Sequence, residues 1–279
     1  MRIISLNYHD VVTRGDSEPT GRSVPGAWRY NLERDEFVGH LKAIAEGRTT
    51  GPVTAFDAAN TRNNPWPLVL TFDDGGASAY KCTADMLERF GWRGHFFVST
   101  NYIGTPGFVS SAQVLALRKR GHVIGSHSCS HPERMSHYSW AQLIEEWTKS
   151  VSVLSDIVGE QVSVASVPGG YYSRRVAEAA SAAGIKILFN SEPVTTCQRV
   201  DECLVLGRYT VYQGMSAAVA AAIAAGRPVP RLKQLLFWKV KELGKRVGGE
   251  SYLTIRRQIV AHARHGRRHV NTKRLSASR

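Results

Sequence analysis

No stretch of this 279-residue sequence approaches the ~20 consecutive apolar residues of a membrane-spanning helix. The Ala-rich run MSAAVAAAIAAG (215–226) is too short and reads as an ordinary helix. The start, MRIISLNYHD, carries one base and stops being apolar at Asn7, so it lacks the longer apolar core of a secretory signal. Cysteine is scarce: Cys82, Cys129, Cys197 and Cys203 form no C-x-x-C pair, which argues against a disulfide framework and for reduced thiols in a cytoplasmic protein. Acidic residues are nearly missing from residues 226–279, where Glu242 and Glu250 face fifteen Lys and Arg. Residues 1–225 hold twenty-one bases and twenty-one acids, so the whole formal net charge of +13 lies in the tail. Such asymmetry suggests an anionic partner there.

What is present is an alternation of short β-rich runs with helical patterns. Strands are expected at 2–8, 67–72, 95–99, 122–126, 162–166, 185–189 and 203–211. Helices are expected at 33–46 (with Asn31 as a candidate cap), 79–90, 110–120, 139–158 and 173–183. Residues 47–66, rich in Gly, Pro, Asn and Thr, read as a long loop. This order predicts an α/β fold with a parallel sheet, either a closed barrel or an open doubly wound sheet. Polar clusters follow the strands: Asp73 and Asp74, His127 and His131, Pro168-Gly169-Gly170, then Asn190 and Glu192. Both architectures carry their chemistry at that edge.

Two histidines four residues apart in HSCSH (127–131), with a carboxylate, make a mixed N/O donor set suited to a first-row divalent ion. Such an ion polarises a carbonyl and acidifies water. The ordered set TFDDG (71–75), HSCSH (127–131) and PGG (168–170) resembles the polysaccharide deacetylases of the NodB-homology type, carbohydrate esterase family 4. The resemblance covers roughly residues 1–212, and NYHDVV (7–12) is similar to the first strand of a subset of that family.

The resemblance implies an irregular (β/α) barrel of seven strands and a metal-dependent hydrolase acting on N-acetylated, in some branches O-acetylated, sugars. It implies Asp73 as general base and Asp74, His127 and His131 as ligands of one divalent metal. Zinc comes first, with cobalt, nickel or manganese as alternatives. It also places the Gly169 amide at the oxyanion, within the Pro168–Gly170 turn. Gly75 and Gly76 would let the chain turn tightly behind the two acids.

Two family positions depart. Ser166 stands where an Arg pairs with the base, and Arg208, in Leu206-Gly207-Arg208, stands where a His is the general acid. Arginine keeps its proton, so Arg208 is expected to bind substrate instead. His9 is the candidate acid, and Arg174 or Arg175 the candidate partner of the base. Glu192 is a further candidate for substrate binding. His95, His122 and His137 are read as structural or surface residues, and Cys129 as a packed thiol.

The tail (226–279) shows one apolar stripe at Leu232, Leu235, Leu236, Val240, Leu243 and Val247, and a second pattern over 252–263. Flanking bases suit an anionic membrane surface, at the inner face for a cytoplasmic protein. Packing on the barrel is the alternative, and nucleic acid is disfavoured. For the whole chain, the rivals to a deacetylase are a non-catalytic sugar-binding member of the fold and a nucleic-acid-binding protein acting through its tail.

Overall fold

Strands buried on both faces read as continuous apolar runs, and these runs pair in parallel. In the computed structural model, which describes residues 1–13, 27–61 and 66–243, β1 (Ile4–Tyr8) pairs with β4 (Leu68–Phe72) in register Leu6 to Leu70. Beyond β4 follow β5 (His95–Val98), β6 (Val123–Ser126), β7 (Val164–Ser166), β8 (Ile187–Phe189) and β10 (Cys203–Leu206), all parallel. These are the seven expected strands. Two short ones extend the sheet: β11 (Tyr209–Thr210) beside β1, and β9 (Gln198–Val200), antiparallel to β10. A separate parallel pair, β2 (Val11–Val12) and β3 (Leu32–Glu33), flanks the barrel.

The order β11-β1-β4-β5-β6-β7-β8-β10-β9 does not close on itself, so the sheet curls into a half-barrel of the irregular (β/α) type. Strand alternation divides its core. Ile3, Val69, Phe97, Val164, Ile187, Phe189 and Leu206 pack together in the concave interior. Their neighbours Ile4, Leu6, Leu68, Leu70, Phe72 and Phe96 belong to the layer packed under helices.

The helices are α1 (Arg34–Gly47), α2 (Ala55–Asn60), α3 (Ala84–Glu88), α4 (Ser111–Lys119), α5 (Trp140–Val158), α6 (Arg174–Ala182), α7 (Ala217–Ala224) and a helix over 228–243. Ser110 with Gln113 and Ser139 with Gln142 form capping boxes that fix where α4 and α5 begin.

Several expectations are corrected. Asn31 is not a cap: β3 runs directly into α1, and Glu33 occupies the N-cap without a side-chain bond. The loop over 47–66 contains α2, capped by Thr54 and docked on the sheet by His95. The helix over 79–90 begins with a wide π-type turn at Ala79–Thr83 before α3. The strand over 203–211 is interrupted at Gly207-Arg208. The second tail pattern, 252–263, lies outside the described residues.

Candidate metal centre and buried aspartate

The inward alternation that fills the barrel also builds the site. Val69 and Thr71 lead to Asp73, Gly125 to His127, Val164 to Ser166, and Leu206 to Arg208. Each is the next inward position past its strand's interior residues. Asp74 then turns back with φ 76, followed by Gly75 at φ 81. Gly76 is required as well, because a Cβ there would overlap the Asp10 carboxylate, itself bonded to Ser78 Oγ at 2.6 Å. Ser128 and His131 also hold left-handed backbones, φ 62 and 55. Non-glycine residues pay roughly 1–3 kcal/mol for such conformations, which cluster at functional sites.

Asp74 Oδ1 lies 3.4 Å from His127 Nε2 and 3.2 Å from His131 Nε2. The donor atoms of the three residues all fall within 4.8 Å of one another, the one such cluster among the described residues. The His127 ring approaches the Ser166 carbonyl at 3.1 Å and Ser166 Oγ at 2.6 Å through Nδ1. A carbonyl can only accept, so Nδ1 carries the proton and Nε2 presents its lone pair to Asp74. A carboxylate and two imidazole nitrogens facing one another call for a shared cation, and two nitrogens with one oxygen suit a borderline divalent metal. The residues fit the metal that the sequence motifs imply. Glu146 on α5 steadies the loop between the histidines by accepting from the Cys129 and Ser130 amides, each at 2.9 Å. Cys129 turns its sulfur to Asn101 Oδ1 instead of the cluster.

Asp73 is 5% exposed, and four donors converge on it. Oδ1 accepts from Arg208 Nη1 at 2.7 Å and Ser166 Oγ at 3.0 Å. Oδ2 accepts from Arg208 Nη2 at 2.9 Å and Asn7 Nδ2 at 3.1 Å. Burial alone would raise this carboxyl, but the Arg208 guanidinium and His127 outweigh it and hold Asp73 well below the usual carboxylate range. Asp74 is likewise held low: burial and the neighbouring Asp73 charge oppose, while the nearness of His127 and His9 prevails.

Arg208 was expected to touch substrate, and the structure corrects this. It is 0% exposed, its guanidinium is forked onto Asp73, and its Nε bonds the Asn190 carbonyl at 2.9 Å. Its Cζ lies 5.8 Å from both the Phe97 and the Phe189 ring. Gly207 makes this possible: a Cβ there would run into the Glu192 carbonyl, which instead accepts from the Arg208 amide at 2.9 Å. Arg174 is corrected too. Its side chain is 65% exposed and pairs with Glu178 on α6, away from Asp73. Thus Arg208, from the position of the missing His, supplies the pairing expected from the missing Arg.

His9 does reach the site. It stacks on Tyr30 at 4.7 Å, its buried Nδ1 has no hydrogen-bond partner, and Asp74, Asp73, Arg208 and His127 all act on its charge. Burial lowers its basicity; the two aspartates oppose that. Pro168 is buried, and Gly169 and Gly170 follow with φ 61 and 70, beside the Glu133 carbonyl just past His131. Glu192 is half-buried and its carboxyl is raised by that burial, against the pull of Lys239. Asn7 and Glu146 were not among the expected site residues: Asn7 entered only as the first residue of NYHDVV, with no role attached, and Glu146 is one acid among several on α5.

A half-barrel with such a trio at the carboxyl ends of its strands is of the (β/α) type whose chemistry sits on that edge. Residues 61–188, within the barrel, match the family Polysaccharide deacetylase. YxkH of Bacillus subtilis (strain 168), named for the same family, is 24% identical over 204 residues, 72% of this chain and 72% of that protein. The peptidoglycan-N-acetylglucosamine deacetylase PgdA of Listeria monocytogenes is 30% identical over 113 residues, 40% of this chain and 23% of PgdA. Among solved structures, the Streptococcus pyogenes deacetylase PplD in complex with acetate shares the fold. Its TM-score is 0.64 at 16% identity, over 78% of this chain and 95% of PplD. IcaB from Ammonifex degensii aligns with TM-score 0.63 at 20% identity, over 80% of this chain and 97% of IcaB.

Proposed function

We propose that the protein is a metal-dependent hydrolase that removes an N-acetyl or related acyl group from an amino sugar in a glycan or glycolipid precursor. The observation that carries this reading is the Asp74–His127–His131 cluster set beside a second, separately held aspartate. A divalent ion held by those three, zinc first, would polarise the acyl carbonyl and acidify a water.

The chain's own groups have distinct tasks in this proposal. Asp73 takes the proton of the attacking water at Oδ2, where the Asn7 amide at 3.1 Å is the longest of its four contacts and yields first. Arg208 keeps Asp73 ionised until it accepts that proton, and oriented throughout. The Gly169 amide, on the exposed turn after β7, donates to the oxyanion. His9, with its unpartnered Nδ1, passes a proton to the leaving nitrogen. Pro168, Gly170 and Glu192 line the approach of the sugar. A cytoplasmic location is part of the proposal, supported by four thiols that are all free.

One observation favours a sugar-binding protein without turnover: the four donors on Asp73 leave it no idle lone pair. Acetate release from N-acetylglucosamine oligomers separates the readings. Release should stop on chelation, return with stoichiometric divalent metal, and fall at least ~100-fold in Asp73→Asn with metal still bound. No release from any acetylated amino sugar, or full activity in Asp73→Asn, overturns the proposal.

A further inference from the structure

The helix over 228–243 is turned the wrong way round for a helix of a soluble domain. Val229, Leu232, Leu236, Val240 and Leu243 recur at helical spacing, and each is more than 60% exposed; Phe237 beside them is 64% exposed. The opposite face holds the helix on the barrel. Arg231 lies 4.9 Å over the Trp66 ring, Gln234 Nε2 donates to the Thr210 carbonyl at 3.0 Å, and Leu235 and Trp238 are partly covered. An apolar stripe normally faces the core. Here the polar contacts face it, and an apolar ridge about 21 Å long faces outward, taking ~1.5 Å per residue.

We propose that this ridge is a docking surface for an anionic lipid bilayer. Lys233 and Lys239 flank it, and Arg227, Arg231 and Lys241 complete five bases against Glu242 alone in residues 227–243. Residues 244–279 add ten bases against Glu250 alone. A nucleic acid would satisfy that charge but offers nothing apolar to cover the ridge. A second copy would cover the ridge but bring the same lysines and basic segment face to face. Only a bilayer with anionic headgroups supplies both an apolar interior and the opposite charge, with the lysine stems lying along the ridge and their ammonium groups at the headgroups.

The placement ties this surface to the site. Lys239 and Glu242, in the last turns of the helix, act on the charge of Glu192. The Glu192 loop in turn receives the Arg208 amide. The helix that carries the ridge therefore lies near the loop behind the buried aspartate. The inference goes beyond the proposed reaction and does not depend on it, since vesicle binding is read without turnover.

The test is co-sedimentation of the full chain with phosphatidylcholine vesicles containing about one-quarter phosphatidylglycerol, against phosphatidylcholine alone. The intact protein should partition onto the anionic vesicles at ~0.1 M salt and weaken at about 0.5 M. The double variant Leu236→Asp/Val240→Asp, both on the outward face, should keep its melting temperature and lose at least about tenfold in partitioning. An intact protein that stays in the supernatant at low salt overturns the proposal. So does a double variant that melts as the intact chain does and binds equally well, which would leave residues 244–279 to act by charge alone. Should that variant fail to fold, Leu232→Asp/Leu243→Asp carries the same expectation. Retention on RNA without vesicle binding, or a dimer that these variants convert to monomer without vesicle binding, equally overturns it.

Discussion

Replacing Arg208 by Met is the sharpest probe of how the site is held. The substitution keeps an unbranched, flexible stem and removes the cation. It deletes contacts of 2.7 and 2.9 Å to Asp73 and of 2.9 Å to the Asn190 carbonyl, where both charges are at most 5% exposed. Breaking a buried pair from one side costs about 3–5 kcal/mol, since the surviving charge is left uncompensated. The orphaned carbonyl adds on the order of 1 kcal/mol. Against a typical domain stability of about 5–15 kcal/mol, the variant should be marginal but measurable by urea denaturation at low temperature.

The pH dependence follows from sign. In the native protein Asp73 is held below its unfolded value, so its contribution is present above that value and lost as pH falls through the folded pKa. Without Arg208 the cost of burying the charge is opposed less and the carboxyl rises. The variant's deficit should then be largest at neutral pH and shrink on acidification. Arg208→Lys should lose less, keeping the charge but not the fork. Arg208→Met/Asp73→Asn should recover at least ~1 kcal/mol relative to Arg208→Met, a direct measure of their coupling. An Arg208→Met protein within ~0.5 kcal/mol of the parent at neutral pH would refute the buried pair.

Two further outcomes are expected. Ser166→Ala removes the hydroxyl bridging His127 Nδ1 and Asp73 Oδ1 while leaving the backbone carbonyl that also meets His127. Metal affinity by competitive chelation should therefore fall about tenfold, the low end for an outer partner of a metal ligand, and unchanged affinity would remove Ser166 from that role. His95 accepts from the Ala55 amide at 2.9 Å and meets the Leu70 carbonyl at 3.1 Å, and burial lowers its pKa to about 4. With its folded value below the unfolded one, the neutral ring stabilises the fold fully above about pH 6.5, and that is lost as pH falls toward 4. The total is on the order of 3 kcal/mol at ~1.4 kcal/mol per pH unit. Denaturation midpoints of the native chain and His95→Gln should converge between pH 7 and pH 4, and a constant difference would refute the assignment.

The strand and helix order was legible in the sequence because each element carries its own signal. Apolar runs such as Leu68–Phe72 bury on both faces, and Ser110 and Ser139 announce their helices by local hydrogen bonds. The candidate metal-binding cluster was legible for a related reason. His127 and His131 are four residues apart, Asp74 follows a strand end, and strand ends in such folds converge on one edge. The partner of Asp73 was not legible. Arg208 lies 135 residues further on, and nothing local distinguishes it from Arg174 or Arg175. Only the curl of the sheet, which brings β10 around to β1 and β4, decides that Arg208 points inward between Phe97 and Phe189 while Arg174 points to solvent. The same holds for the tail. Periodicity over 228–243 establishes a helix and its apolar stripe, but which face meets the barrel depends on contacts with Trp66 and Thr210, and those turned the stripe outward. Period is a property of neighbours in the chain; orientation is set by surfaces brought together only when the chain folds.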